Sequence, residues 1–303
     1  MTKVPNGRWR DRSFAVYAAA IGALVLWAGT PIANKIAVGT IDPGTAGLLR
    51  SGLAGVACAL LAWLWKLPFP ATPTQRWWLA FSGVASFAVW PLLLSIGLGM
   101  TTANHAALII ATIPLFTGLI AAGIDRVRPG FAWLLGVAIA LAGTAILVGV
   151  QVDGSAAVGN TAGDLLILLG VFACAAGYVA GGTLAPAIGT LATTFWSLGS
   201  ATLVLAPAIA VLWPRTDWAS VSPGAWLAVG YMALFSSLIG YVAWFWALGR
   251  GGIARISAWQ LGQPVLTVAF AAVLLGERLT LPLIAAGGAV LLGTALTQAR
   301  PRR

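Results

Sequence analysis

Amides, a hydroxyl and a proline recur at helical spacing in Gln260, Gln263, Pro264 and Thr267, inside a run that is otherwise almost wholly apolar. Such groups can hold both ends of a zwitterion without formal charge: an amide donates and accepts, and a proline frees the carbonyl four residues back. Interhelical hydrogen bonding is the plainer use of the same groups. Trp27, Pro31 and Asn34 fall at i, i+4 and i+7, one helical face, and Trp259 flanks Gln260. Trp90, Tyr178, Tyr241 and Trp244 lie deep in other apolar runs. Each has a large apolar face with one polar tip, which suits a chamber for variable side chains or simple packing. His105, the single histidine, either titrates or meets a substrate carboxylate, or else lines an outer vestibule.

The elements that carry these residues are membrane helices. Sixty per cent of the 303 residues are hydrophobic and 8% charged, which excludes an ordinary soluble protein. Residues Trp77 to Ile124 and Leu165 to Pro214 contain no Lys, Arg, Asp or Glu, each stretch long enough for two spans at about 20 residues apiece. The formal charge of +10 is scattered beside apolar runs, the pattern of topology signals and not of a nucleic-acid surface. Cys58 and Cys174 sit inside apolar runs and read as buried thiols. No second histidine exists and no Cys or acid stands at ligand spacing, so neither a metal nor a cofactor is expected.

Ten spans are expected, at 14–38, 46–65, 77–99, 104–123, 131–150, 163–186, 191–213, 225–248, 253–275 and 281–299. The first run is too long for a cleavable signal peptide and is kept as a span. Pro114 and Pro264 are 150 positions apart, and so are Gly143-Thr144-Ala145 and Gly293-Thr294-Ala295. The chain therefore divides into a tail at 1–13, a five-helix unit at 14–150, a linker at 151–162, a second unit at 163–299 and a basic tail at 300–303. With both termini in the cytoplasm, thirteen of the seventeen Lys and Arg lie inside, leaving Lys35, Arg50, Arg215 and Arg278 outside. Five is odd, so the second unit enters from the opposite face, and the linker is periplasmic.

Inverted repeats around a central cavity are the plan of a transporter, with Pro31, Pro114 and Pro264 as hinges. Asp11, Asp42, Asp125, Asp153, Asp164, Asp217 and Glu277 all fall in tails, loops or helix ends. Proton- or sodium-coupled carriers use a carboxylate at mid-depth, so a facilitator is expected. An intramembrane enzyme would need clustered acids or a His–acid pair, and His105 has no acid near it in sequence. Gly136, Gly143, Gly287, Gly288 and Gly293 let backbones approach, for inner packing or for a dimer seam.

Trp27-Ala28-Gly29 with Lys35, Arg50, Ala106-Ala107-Leu108-Ile109 leading to Pro114, Gly240-Tyr241, Trp246-Ala247-Leu248, Pro264, and Leu274 to Thr280 with its Gly-Glu-Arg form a recognisable order. The chain resembles the EamA module of the drug/metabolite transporter superfamily, over nearly its whole length. Its length and ten-span plan are similar to those of YddG-type amino-acid exporters. That resemblance implies a basket of ten helices in a bacterial inner membrane, exporting amino acids, aromatic ones included, or another small metabolite or drug.

Overall fold

The structure, a computed structural model, describes residues 7–126, 130–149, 160–251, 259 and 262–298, and among these no strand occurs. The helices are α1 Gly7–Ala28, α2 Thr30–Ala37, α3 Pro43–Leu64, α4 Pro73–Gly83, α5 Trp90–Met100, α6 Ala103–Ile110 and α7 Ile113–Asp125. They continue with α8 Phe131–Gly149, α9 Thr161–Ile188, α10 Thr190–Leu212, α11 Pro223–Gly230, α12 Gly240–Gly251, α13 Gln263–Leu275 and α14 Leu281–Gln298. Two π-helical stretches, Val84–Val89 and Tyr231–Ile239, join α4 to α5 and α11 to α12. Hydrocarbon offers no partner for backbone amides, so a chain this apolar must bond internally, and helices do so within one segment.

Seven stretches are long and apolar enough to cross a membrane: Phe14–Ala37, Pro43–Leu64, Pro73–Met100, Ala103–Ile124, Thr161–Ile188, Thr190–Arg215 and Pro223–Trp244. Phe131–Thr144, Gln263–Leu275 and Leu281–Leu296 are shorter apolar helices. Polarity is arranged inside out for water. Leu203, Val273 and Leu281 are 80%, 81% and 79% exposed, whereas Arg50 is 7% exposed. Only a lipid surround makes that arrangement favourable.

Helix starts follow from local chemistry. Asp42, Thr72, Thr102, Asn160 and Ser222 each accept a backbone amide of the helix that follows, and Thr72 with Gln75 completes a capping box. The prolines correct the expectation of simple kinks. Pro31, Pro114 and Pro264 each occupy the first turn of a helical segment, the first two after breaks at Gly29 and at Ala111-Thr112. In a first turn the missing N–H would have had no partner anyway, so the chain stops and restarts instead of bending through the proline.

Helix packings include α3 on α10, α8 on α14, α5 on α9, α1 on α12, α3 on α5, α7 on α9, α4 on α9 and, more lightly, α1 on α13. Gly293 is where α8 and α14 touch, because a Cβ there would fall on the Ala140 amide and the Gly136 carbonyl. Gly143 faces Ala286 and Ala289 across the same seam, so these glycines serve inner packing; Gly288 has no neighbour within 4 Å of an added Cβ.

Candidate binding cavity

Two helix breaks and one helix start converge on one space. The α1–α2 break brings Trp27, Thr30 and Pro31 to it, the α6–α7 break brings Ile110, Ala111 and Pro114, and the start of α13 brings Gln263, Pro264 and Thr267. Arg50 of α3, Trp90 and Leu94 of α5, Tyr178 of α9, Ser236 and Ser237 of the second π stretch, and Tyr241 of α12 close the walls. The enclosed volume is about 110 Å³. Proline at 31 and 114 leaves the carbonyls of Trp27 and Ile110 without their usual amide donors, so the cavity edge carries acceptors as well as side chains.

A second chamber of about 280 Å³ shares Trp27, Tyr178 and Tyr241 with the first and runs to Thr190, Thr193 and Thr194 at the α9–α10 turn. The three shared rings form a partition. Trp27 meets Tyr241 edge-on at 5.4 Å and Trp244 at 5.3 Å, and Phe87 meets Tyr241 at 5.9 Å. Trp27 is held in place by Nε1 donating to the Ser236 carbonyl at 3.0 Å. A π stretch leaves carbonyls out of the ordinary ladder, and here the indole uses one. Gly240 makes room for that indole, since a Cβ would lie 2.8 Å from its nitrogen.

Arg50 stands two turns into α3, buried, with one weak partner among the described residues: a terminal guanidinium nitrogen lies 3.4 Å from the Met232 sulfur. Its Nε has no partner among the described residues. The neighbours within electrostatic reach are Tyr241, Cys174 and Tyr178, all neutral when protonated. Counting Arg50 among the outer loop charges is therefore corrected: it is a cavity residue.

The far ends of α2, α5, α6, α9 and α13 are tied by a polar cluster. His105 Nδ1 lies 2.7 Å from Asp164 Oδ2, and Thr101 donates to Asp164 Oδ1 at 2.6 Å. Lys35 donates to the carbonyls of Leu98 and Thr101. Glu277 accepts from the amides of Ala103 at 2.7 Å and Asn104 at 2.8 Å. The histidine thus has an acid partner after all, one 59 positions along the chain and at a helix end.

The fold and this cavity find their relatives among carriers. A model of the EamA-like transporter family matches residues 14–149 and again 161–298. The chain belongs to the EamA-like transporter family. It is a multi-pass membrane transporter and not an enzyme. This EamA chain is 31% identical over 278 residues to the "uncharacterized transporter YdeK" of Bacillus subtilis, covering 90% of this chain and 92% of the relative. It is 30% identical to the "uncharacterized inner membrane transporter YedA" of Escherichia coli K12, covering 88% and 84%. Identity is 29% to a "probable terminal-alkyne amino-acid exporter" of Streptantibioticus cattleyicolor, covering 89% and 90%. A solved crystal structure superposes with a TM-score of 0.61 at 20% identity, over 94% of this chain and 96% of its own, a likeness of fold.

Of the residues singled out in the sequence, the EamA cavity gathers Trp27, Trp90, Tyr178, Tyr241 and Gln263 with Pro31, Pro114 and Pro264, and Trp244 lines the second chamber. Asn34 is fully buried away from both, with neither amide atom partnered among the described residues. His105 belongs to the polar cluster, and Trp259 is 45% exposed, 5.7 Å from the Tyr17 ring. Gln260 lies outside the described residues. Arg50, Ser236 and Ser237 went unread. A basic residue within an otherwise uncharged run was the available signal for Arg50.

Proposed function

We propose that the protein exports amino acids, aromatic ones among them, across the bacterial inner membrane by alternating access. Convergence of three proline-bearing helix starts on an aromatic-walled chamber is the observation that carries this reading. Such a chamber buries an apolar side chain, while Gln263 and the freed carbonyls meet the polar end of an amino acid. The relative named as an amino-acid exporter supports the substrate class.

The working unit is ten spans in two inverted five-helix halves, with both termini in the cytoplasm. The helix pairings support it, because exchanging the two halves maps one contact onto another. α1 on α12 corresponds to α5 on α9, and α7 on α9 to α1 on α13, while α3 on α10 and α8 on α14 map onto themselves. Access alternates as the halves rock, with Pro31, Pro114 and Pro264 at the hinges. Asp42, Asp164, Asp217 and Glu277 stand at helix ends or in loops, which supports a facilitator running down its substrate gradient.

The deciding experiment is counterflow of labelled phenylalanine in proteoliposomes, with a competition panel of the twenty amino acids, sugars and drugs. Saturable phenylalanine flux that other amino acids compete for is expected, with no uphill movement under an imposed proton gradient. Flux competed only by sugars or drugs overturns the substrate class, and uphill movement overturns the facilitator.

A further inference from the structure

An arginine placed between helices to hold them together finds a carboxylate or several carbonyls, because its five donors are costly to bury unpaired. Among the described residues Arg50 has neither. Its one hydrogen-bond partner there is a thioether, its Nε is unpartnered, and it faces the cavity. The carboxylates that could have paired with it are engaged elsewhere. Asp42 caps α3, Asp164 holds His105 and Thr101, and Glu277 holds the start of α6. A guanidinium does not give up its proton, so the cavity carries a fixed positive charge with no protein counter-charge among the described residues.

We propose that Arg50 is the anchor for a carboxylate, and that the cavity selects small monocarboxylates with an aromatic or branched apolar body, whether or not they carry an amino group. One planar fork matches one carboxylate; a dianion such as a phosphate ester would keep an unmatched charge. Trp27, Trp90, Leu94 and Ile110 supply the apolar surround. The polar groups of the wall besides Arg50 are neutral, from Thr30, Gln263, Ser236, Ser237, Thr267 and the freed carbonyls, and no acid lines it among the described residues. Charge attraction therefore recognises the acid end of an amino acid, and no counter-charge among the described residues rewards the amine. This deepens the transport reading of the same cavity, on which it rests, and is tested by binding so that the two fail separately.

The purified full-length protein in detergent is titrated with L-phenylalanine, with 3-phenylpropanoate, which lacks the amine, and with phenethylamine, which lacks the acid. Quenching of tryptophan fluorescence gives each affinity. The two carboxylates bind within about threefold of each other and the amine at least about tenfold more weakly, the scale of one charge-assisted hydrogen bond. Arg50→Gln lowers carboxylate affinity by about tenfold to a hundredfold and raises that of phenethylamine by relieving like-charge repulsion, and Arg50→Lys recovers part of the carboxylate loss. Equal binding of acid and amine, no binding of either carboxylate, or full carboxylate binding by Arg50→Gln overturns the proposal. The wild-type comparison decides by itself if the variants do not fold. Carboxylate binding that depends on Arg50, in a protein that moves no phenylalanine in vesicles, would sink the amino-acid exporter and leave the anchor standing.

Discussion

Glu277 illustrates how much one side chain can join. Its two carboxylate oxygens take the amides of Ala103 and Asn104, 174 and 173 positions away, at the positive end of α6. Glu277→Gln keeps an acceptor but loses the charge, and is expected to lower stability by about 1 kcal/mol, with Glu277→Ala costing more. Thermal unfolding in detergent, read by intrinsic fluorescence, measures this. A melting temperature unchanged by Glu277→Ala would show that the cap contributes nothing. In the sequence, the Gly-Glu-Arg around Glu277 reads as part of the family resemblance and not as a cap on α6. Trp27, Trp90, Tyr178, Tyr241, Trp244 and Gln263 were legible as cavity-lining candidates because a polar or aromatic group stands out in an apolar run. Arg50 was not, since eight residues into a span it resembles a charge near a loop. The His105–Asp164 pair was hidden by its 59-residue separation, which no local pattern encodes.

At the scale of helices, the breaks carry the design. Pro114 supplies no N–H for the Ile110 carbonyl, and α6 ends at that residue. Pro114→Ala restores a donor there and is expected to fuse α6 and α7. Stability then holds or rises while turnover falls, about tenfold for each 1.4 kcal/mol added to the barrier. Paired melting and counterflow measurements check it; turnover equal to wild type would remove the hinge. The prolines and their 150-residue spacing could be read directly, since both are matters of residue type and count. Whether each makes a bend or a stop depended on the fit of the next turn, and that is settled by neighbours. The π stretches went unread for the same reason. An inserted residue leaves no mark on a largely apolar run, and its cost is offset where a partner such as the Trp27 indole takes the freed carbonyl.

Across the molecule, topology is the matter to test. Arg278→Cys, in the exposed loop between α13 and α14, is expected to react with an impermeant maleimide on intact spheroplasts. Ala71→Cys, exposed just before α4, is expected to react only after permeabilisation. Cys58 and Cys174 are fully buried, so the wild-type background is low. The reverse pattern would invert the assigned orientation. Hydropathy and repeat spacing made the helical membrane class legible; the paths of α3 over α10 and α8 over α14 were not, because lipid-facing and protein-facing surfaces are equally apolar. The lone guanidinium of α3 has one more effect at this scale. A fixed cation in a narrow water-accessible passage raises the electrostatic barrier to hydronium and sodium, as arginines do in other pores. A carrier built this way can change its openings without short-circuiting the voltage on which its host membrane runs.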